Sequence, residues 1–440
     1  MTSRKKFISV IAGGSILSPF ISKKFQSGNT EKSFYNVCTY GAIGDGVTPS
    51  ADAFQKAIDA AESQGGGIVF IPPGQFILEK TPLIGSKIHL RGSGRSTVLI
   101  GERTADFRGA ALISNKGQQA NVYEGAGDWS ITDLAIDSPK TNGIVVTHSK
   151  NVYISHIYGI EAYHHFIDTA GLNIICENLF LIGHSGTSTF QIDSLGNAQT
   201  IWDGNQAVSP NLDGTQTKNL ILRNSIITAT AGTEGSRPRH DTSIHFHGEV
   251  SEGMLFSDLI LGGAENGIYM DDGLSYSNIQ MTNVTSYNPG RAIWFEPSTI
   301  RQERISIKGL IHQPAVKSNK LDGYRAISIY GSDQLSLNDI QLKAPNGFNC
   351  LEAVELDTCT KVNITRLNAE AEFGTCVLIR DQRGTENTQS RHIQISGCML
   401  DGFETGIEYV NNNRGGDVRQ SNNFFINVNN DVKGEQIQSV

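Results

Sequence analysis

Apolar and polar positions alternate in short runs along most of this 440-residue chain, and one run returns at a near-fixed interval. It reads Ser243-Ile-His-Phe-His247, Gly267-Ile-Tyr-Met-Asp271, Ala292-Ile-Trp-Phe-Glu296 and Ala326-Ile-Ser-Ile-Tyr330. The lead isoleucines at 244, 268, 293 and 327 are 24, 25 and 34 residues apart. Weaker copies are Gly143-Ile-Val-Val146, Ala353-Val-Glu-Leu356, Cys376-Val-Leu-Ile379 and Gly406-Ile-Glu-Tyr409. Repeats of 20–50 residues mark a solenoid, and a period-2 pattern within each repeat marks a strand. The expected fold is therefore all-β, with one strand of each coil stacked on the next.

Alternation also predicts a surface. In a strand, successive side chains point to opposite faces. Ile244/Phe246, Ile268/Met270, Ile293/Phe295 and Ile327/Ile329 should face inward. One outward row is then His245, Tyr269, Trp294, Ser328, and the other is His247, Asp271, Glu296, Tyr330. Such a patch offers aromatic faces for sugar rings beside carboxylates and imidazoles for hydroxyls and protons. A solvated face of stacked ladder residues is the plainer alternative.

Upstream, Asp52–Glu62 carries apolar residues at helical spacing, and Gly65-Gly-Gly stops it. Ile68–Ile71 reads as a strand closed by Pro72-Pro-Gly. Together these residues carry a resemblance. Tyr40-Gly-Ala-x-Gly-Asp-Gly, a helix, Gly-Gly-Gly-x-Val and Ile-Pro-Pro-Gly-x-Phe resemble the N-terminal signature of pectate-lyase-superfamily β-helix proteins. That group includes relatives of the polygalacturonase family and some phage tailspikes. The resemblance implies a single-stranded right-handed parallel β-helix over residues 33–440, with the helix capping its first coil. It implies a glycoside hydrolase cleaving a plant or algal polysaccharide or oligosaccharide with two carboxylates. The family's catalytic aspartates precede a Gly-Ile-type strand, and Asp241 and Glu265 are similar to those in position. Asp271 and Glu296 are the rival pair. The family's Asn-Thr-Asp, Gly-His-Gly and Arg-Ile-Lys motifs are absent as a set.

His245, His247, Tyr269, Arg291, Trp294, His184 and Trp202 are the expected substrate-binding residues. Arg291 would bind a substrate carboxylate or, in a lyase, take the proton beside it; an ion pair with Glu265 or Glu296 is the bland alternative. Glu161, His164, His165, His184 and Asp193 would extend the groove. No cofactor is expected for hydrolysis; a lyase could use calcium held by Asp271, Asp272 and Glu296. A glycan-binding module without catalysis is the third reading.

Composition narrows the rest. Hydrophobic residues make up 38%, charged residues 18%, and there are 47 Gly, as expected of a turn-rich β protein. The net charge of −8 and the lack of a basic stripe disfavour nucleic acid as a partner. Arg4-Lys5-Lys6 followed by an apolar run reads as an export signal over residues 1–27. It resembles a twin-arginine type with Lys5 in place of the second Arg, so the expected location is periplasmic or secreted. No segment is long enough to span a membrane. Six sparse cysteines suggest buried small side chains stacked inside the solenoid; monomer and homo-oligomer both remain open.

Overall fold

The computed structural model describes residues 34–439, except 102–110, 118, 139–141, 163–164, 184–187, 196–210, 230–240, 249, 272–273, 297–301, 317–322, 348, 382–389, 411–416 and 435–436. The export segment, His164, His184, Trp202 and Asp272 thus lie outside the described residues.

Strand follows strand, and apart from the short antiparallel pair of Ser194–Leu195 with Thr215–Gln216 the described strands pair in parallel from coil to coil. The face that carries the repeated phrase is built from β1 (Ile167–Glu177), β2 (Phe190–Ile192), β3 (Thr242–Phe246), β4 (Asn266–Met270), β5 (Ile293–Phe295), β6 (Tyr324–Tyr330) and β7 (Cys350–Asp357). Their register runs through one column, Ile167, Phe190, Ile244, Ile268, Ile293, Ile327, Val354, with a shift between β6 and β7 only at Tyr324/Arg325, before that column. The weaker copies join the same ladder through Ile144, Val377 and Ile407. The expected inward residues are buried: Ile244, Phe246, Ile268, Met270, Phe295, Ile327 and Ile329 are each 0% exposed. They form one continuous core with the other walls of the coil.

Corners are set by left-handed residues. Asn173 and Asn178 (φ 56° and 54°), Asn219 and Asn224 (54° and 50°), Gly253 and Asp258 (76° and 55°), and Asn278 and Asn283 (57° and 54°) recur five residues apart on successive coils. Asparagine tolerates this region because its short amide bonds locally. The amides also stack: Asn173 Nδ2 donates to Asn151 Oδ1 and Asn219 Nδ2 to Asn173 Oδ1, each at 3.0 Å. A short wall between two bends therefore repeats in register with the face.

The predicted helix is α1 (Ala51–Ser63). Its Phe54, Ala57, Ile58 and Ala61 join the core, with Phe54 edge-on to Phe76 at 5.6 Å. Cys176, Cys350, Cys359, Cys376 and Cys398 are buried as expected, whereas Cys38, ahead of the helix, is exposed and departs from that expectation. Cys359, Cys376 and Cys398 do not form one stack: Cys376 lies within the Thr375–Arg380 strand, in register between Ala353 and Gly406, whereas Cys359 and Cys398 stand at bends. One coil of sequence spacing did not mean one position in the coil, because coil lengths differ. Among the described residues, no helix is long and apolar enough to cross a membrane.

Candidate functional site

The ladder sets the outward rows rung by rung, about 4.8 Å apart. One row is Asp168, Gln191, His245, Tyr269, Trp294, Ser328, Glu355. Two residues further along each strand lie Ala170, Asp193, His247, Asp271, Glu296, Tyr330 and Asp357. The expected rows are therefore present, and the ladder extends them upstream to Asp168.

Asp168 and Asp193 sit diagonally on adjacent rungs and are 4% and 2% exposed. Burial, and then the charge of Asp193, push the Asp168 carboxyl well above the ordinary carboxylate range. Asp193 is held by two donors and faces an imidazole. The Ser194 backbone N–H reaches Oδ1 at 2.7 Å, Gln191 Nε2 reaches Oδ2 at 3.0 Å, and His247 Nδ1 stands 3.5 Å from Oδ1. Asp193 in turn pushes the His247 imidazole up to about 9, outweighing burial.

Asp271 closes the other side. His245 Nε2 lies 3.1 Å and His247 Nε2 3.9 Å from its Oδ2. Burial alone would raise the Asp271 carboxyl; the hydrogen bond from His245 and the charges of the two imidazoles outweigh it and hold the carboxyl below its ordinary value. The centre thus sets a carboxyl raised by burial and a neighbouring charge (Asp168), a carboxyl held low (Asp271) and an imidazole raised to about 9 (His247) within four rungs. Environments that drive titrating groups apart in this way are what acid–base chemistry requires.

The aromatic row is present but mostly covered. His245 and Tyr269 are 3% and 1% exposed. They stack at 5.3 Å, and Tyr269 packs on Trp294 at 5.0 Å. The expectation that His245 and Tyr269 present open faces to sugar is corrected: pointing away from the core is not the same as reaching solvent. The half-buried members are His247, Asp271 and Trp294.

Arg291 also departs from expectation. Among the described residues it forms no ion pair with Glu265 or Glu296. Its guanidinium lies 3.9 Å over the Trp294 ring and its Nε donates to Ser328 Oγ at 3.1 Å. Desolvation leads the lowering of its pKa, and Nη1 is buried without a hydrogen-bond partner. Glu296 is buried in the second row at 5% exposure.

Asp241 and Glu265 stand on consecutive rungs, as Thr242 pairs with Asn266 and the Asn266 N–H donates to the Asp241 carbonyl. Both are buried, and a Cβ at Gly290 would meet Glu265 Oε1 at 2.8 Å. They lie at the entry of β3 and β4, four residues before the His245–Tyr269 row that Asp168 shares, while Asp193, His247 and Asp271 directly follow the ends of β2, β3 and β4. His165 is also at the entry, with Nδ1 2.8 Å from Ser188 Oγ. Among the described residues, no group of three or more His, Cys, Asp or Glu is arranged to hold a metal ion.

Residues 34–310 match the family described as rhamnogalacturonase A/epimerase, pectate lyase-like. Mannuronan C5-epimerase AlgE6 of Azotobacter vinelandii is 32% identical over 120 residues, 22% of this chain and 14% of that protein. Alginate lyase 7 of the same organism is 33% identical over 117 residues, 24% of this chain and 13% of that protein. The chain therefore spans only a small part of these relatives. The N-terminal fragment of gene product 12 of bacteriophage phi29 superposes with a TM-score of 0.62 at 16% identity, over 92% of this chain and 70% of that one. At that identity the likeness is one of fold.

Proposed function

Because this chain belongs to the rhamnogalacturonase A/epimerase, pectate lyase-like family, we propose that it is a carbohydrate-active enzyme that hydrolyses glycosidic bonds in a polysaccharide. One observation carries the reading: two buried carboxyls on adjacent rungs, Asp168, pushed upward by burial and by its neighbour, and Asp193, held by the Ser194 backbone N–H and Gln191 Nε2. In hydrolysis one carboxyl protonates the leaving oxygen, and the other activates water or attacks the sugar. Asp168 supplies the proton and Asp193 is the base or nucleophile. His247 balances the charge of Asp193, and Trp294 offers a partly open ring to a neighbouring sugar. Asp241 and Glu265, which match the polygalacturonase pattern by position, take second place because they stand at the entry of the strands, four residues before the row that Asp168 shares.

Incubation with acidic and neutral polysaccharides, read for reducing ends and for the ultraviolet absorbance of an unsaturated uronate, tests the reading. Reducing ends without absorbance are expected, and Asp168→Asn or Asp193→Asn should each lower kcat/KM by roughly 10²–10⁴-fold. Full activity in both variants would overturn the assignment. The His245–Asp271 contact favours a second reading, elimination on a uronate with His245 as base. Absorbance rising with the reducing ends, and its loss in His245→Gln, would select it; addition of EDTA would then test for calcium. The basic-apolar leader supports export, which fractionation of the producing cell would check.

A further inference from the structure

Glu355 lies two rungs beyond Trp294 in the first outward row and is 3% exposed. A carboxylate so deeply buried must be compensated. Its Oε2 accepts from Tyr330 Oη at 2.8 Å and from Ser328 Oγ at 3.2 Å, and its Oε1 meets Arg380 Nη2 at 2.5 Å. The Ser328 contact fixes more than itself. A hydroxyl has a single proton. Once Ser328 gives that proton to Glu355, its oxygen is left as an acceptor, and Arg291 Nε donates to it at 3.1 Å. The same guanidinium then lies over Trp294, its Cζ 3.9 Å from the ring centroid.

We propose that Glu355, acting through Ser328, is a positioning residue that holds Arg291 on the Trp294 ring and so sets the sugar-contacting platform next to the acid–base centre. The assignment of sugar contact rests on the function proposed above; the positioning itself does not. Without the hydroxyl, Arg291 loses the one polar contact that orients its Nε. Nη1 is already buried without a hydrogen-bond partner. Burial disfavours the Arg291 charge, so a released side chain turns towards water and leaves the ring.

The test compares the full chain with Ser328→Ala, Ser328→Thr and Glu355→Gln. The Trp294 emission of the free protein is isolated by difference from Trp294→Phe, and binding of polygalacturonate and of a neutral β-glucan is measured in parallel. Ser328→Ala should change the Trp294 emission and its quenching by acrylamide. It should weaken binding of whichever polymer binds by about tenfold, as loss of a hydrogen bond to a charged group would, raising KM with kcat little altered. Ser328→Thr, which keeps the hydroxyl, should restore both, and Glu355→Gln should shift the emission in the same direction as Ser328→Ala. Melting curves separate this from misfolding, because a purely structural role lowers Tm without a Trp294 signal in the folded state. An unchanged Trp294 emission in folded Ser328→Ala overturns the proposal. A changed emission in a protein that binds neither polymer keeps the positioning and overturns the sugar-binding role assigned to the platform.

Discussion

His247 has the most telling position of any single side chain in the protein. It stands between two carboxylates, and Asp193 pushes it up to about 9. A histidine raised in this way stabilises the fold fully below its unfolded value near 6.5, and that contribution is lost as pH climbs through about 9. Thermal melts of the wild type should therefore decline between pH 7 and pH 9.5 more steeply than those of His247→Gln. Catalysis has the same sign on that side: a rate that needs His247 charged and Asp168 protonated falls as pH rises. In His247→Gln the part of the alkaline limb near 9 should disappear from the kcat/KM profile. Asp271 acts in the opposite direction. Its carboxyl is held low, so its stabilisation is fully present above the ordinary carboxylate value and is lost as pH falls from there through the lowered one.

At this scale the sequence was partly legible. The lead isoleucines marked the register, and His245, His247, Asp271 and Trp294 followed from it by alternation. Asp168 did not. Its rung begins Phe166-Ile167, with a bulky residue where the repeated phrase has Ser, Gly, Ala or Cys, so the phrase was hidden. The signal was nevertheless there: Ile167 and Phe190 continue the inward ladder, which places Asp168 and Asp193 outward. The burial of Tyr269 and His245 was not legible, because alternation reports direction and says nothing of what packs above a side chain.

Among the elements, the bends carry the repeat as much as the strands do. Asn173 combines a left-handed backbone with two amide contacts, to Asn151 and from Asn219. Replacing it by Ala removes both contacts and places a side chain with no local hydrogen bond in a region costing about 1–2 kcal/mol. A lower Tm is expected for Asn173→Ala, with Asn173→Gly intermediate because glycine meets only the lost contacts. Gly374 is less forgiving: φ is 83°, and a Cβ there would stand 1.8 Å from the Cys350 carbonyl. Gly374→Ala should destabilise the protein more than Asn173→Ala in the same melt. The helix was legible in full, since Phe54, Ile58 and Ala61 share one face of Asp52–Glu62 and that face is the buried one. The five-residue spacing of the bends was not, because Asn, Asp, Gly, Arg, Lys and Gln all occupy it and leave no single letter to follow.

Taken whole, the molecule is held by contacts between successive coils, so stability should vary along its axis. The last coils expose Phe424 at 68% and Ile426 at 40%, whereas Phe54, Phe76, Phe246 and Phe295 are wholly buried. Native-state hydrogen exchange should be fastest in the strands after residue 417 and slowest around β3 to β6. Uniform protection from end to end would contradict this one-dimensional picture. The solenoid was legible because stacking forces each coil to repeat the same inward letters. The placement of the chemistry was less so, because a site on such a scaffold is read across coils and the intervening stretches differ in length.

That crosswise arrangement has a consequence for how such a protein can change. Ile244, Ile268 and Ile293 occupy one column, so joining Ser243 to Ile268 would excise a whole coil and leave the remaining strands in phase. The shortened chain would retain its architecture while exchanging the neighbours of every residue on the face: Gln191 would abut Tyr269, and Asp193 would lose His247. Insertions and deletions of this length therefore act on the active face as a reshuffling of storeys in a building rather than as damage to it, and lineages can acquire new chemistry by moving entire floors.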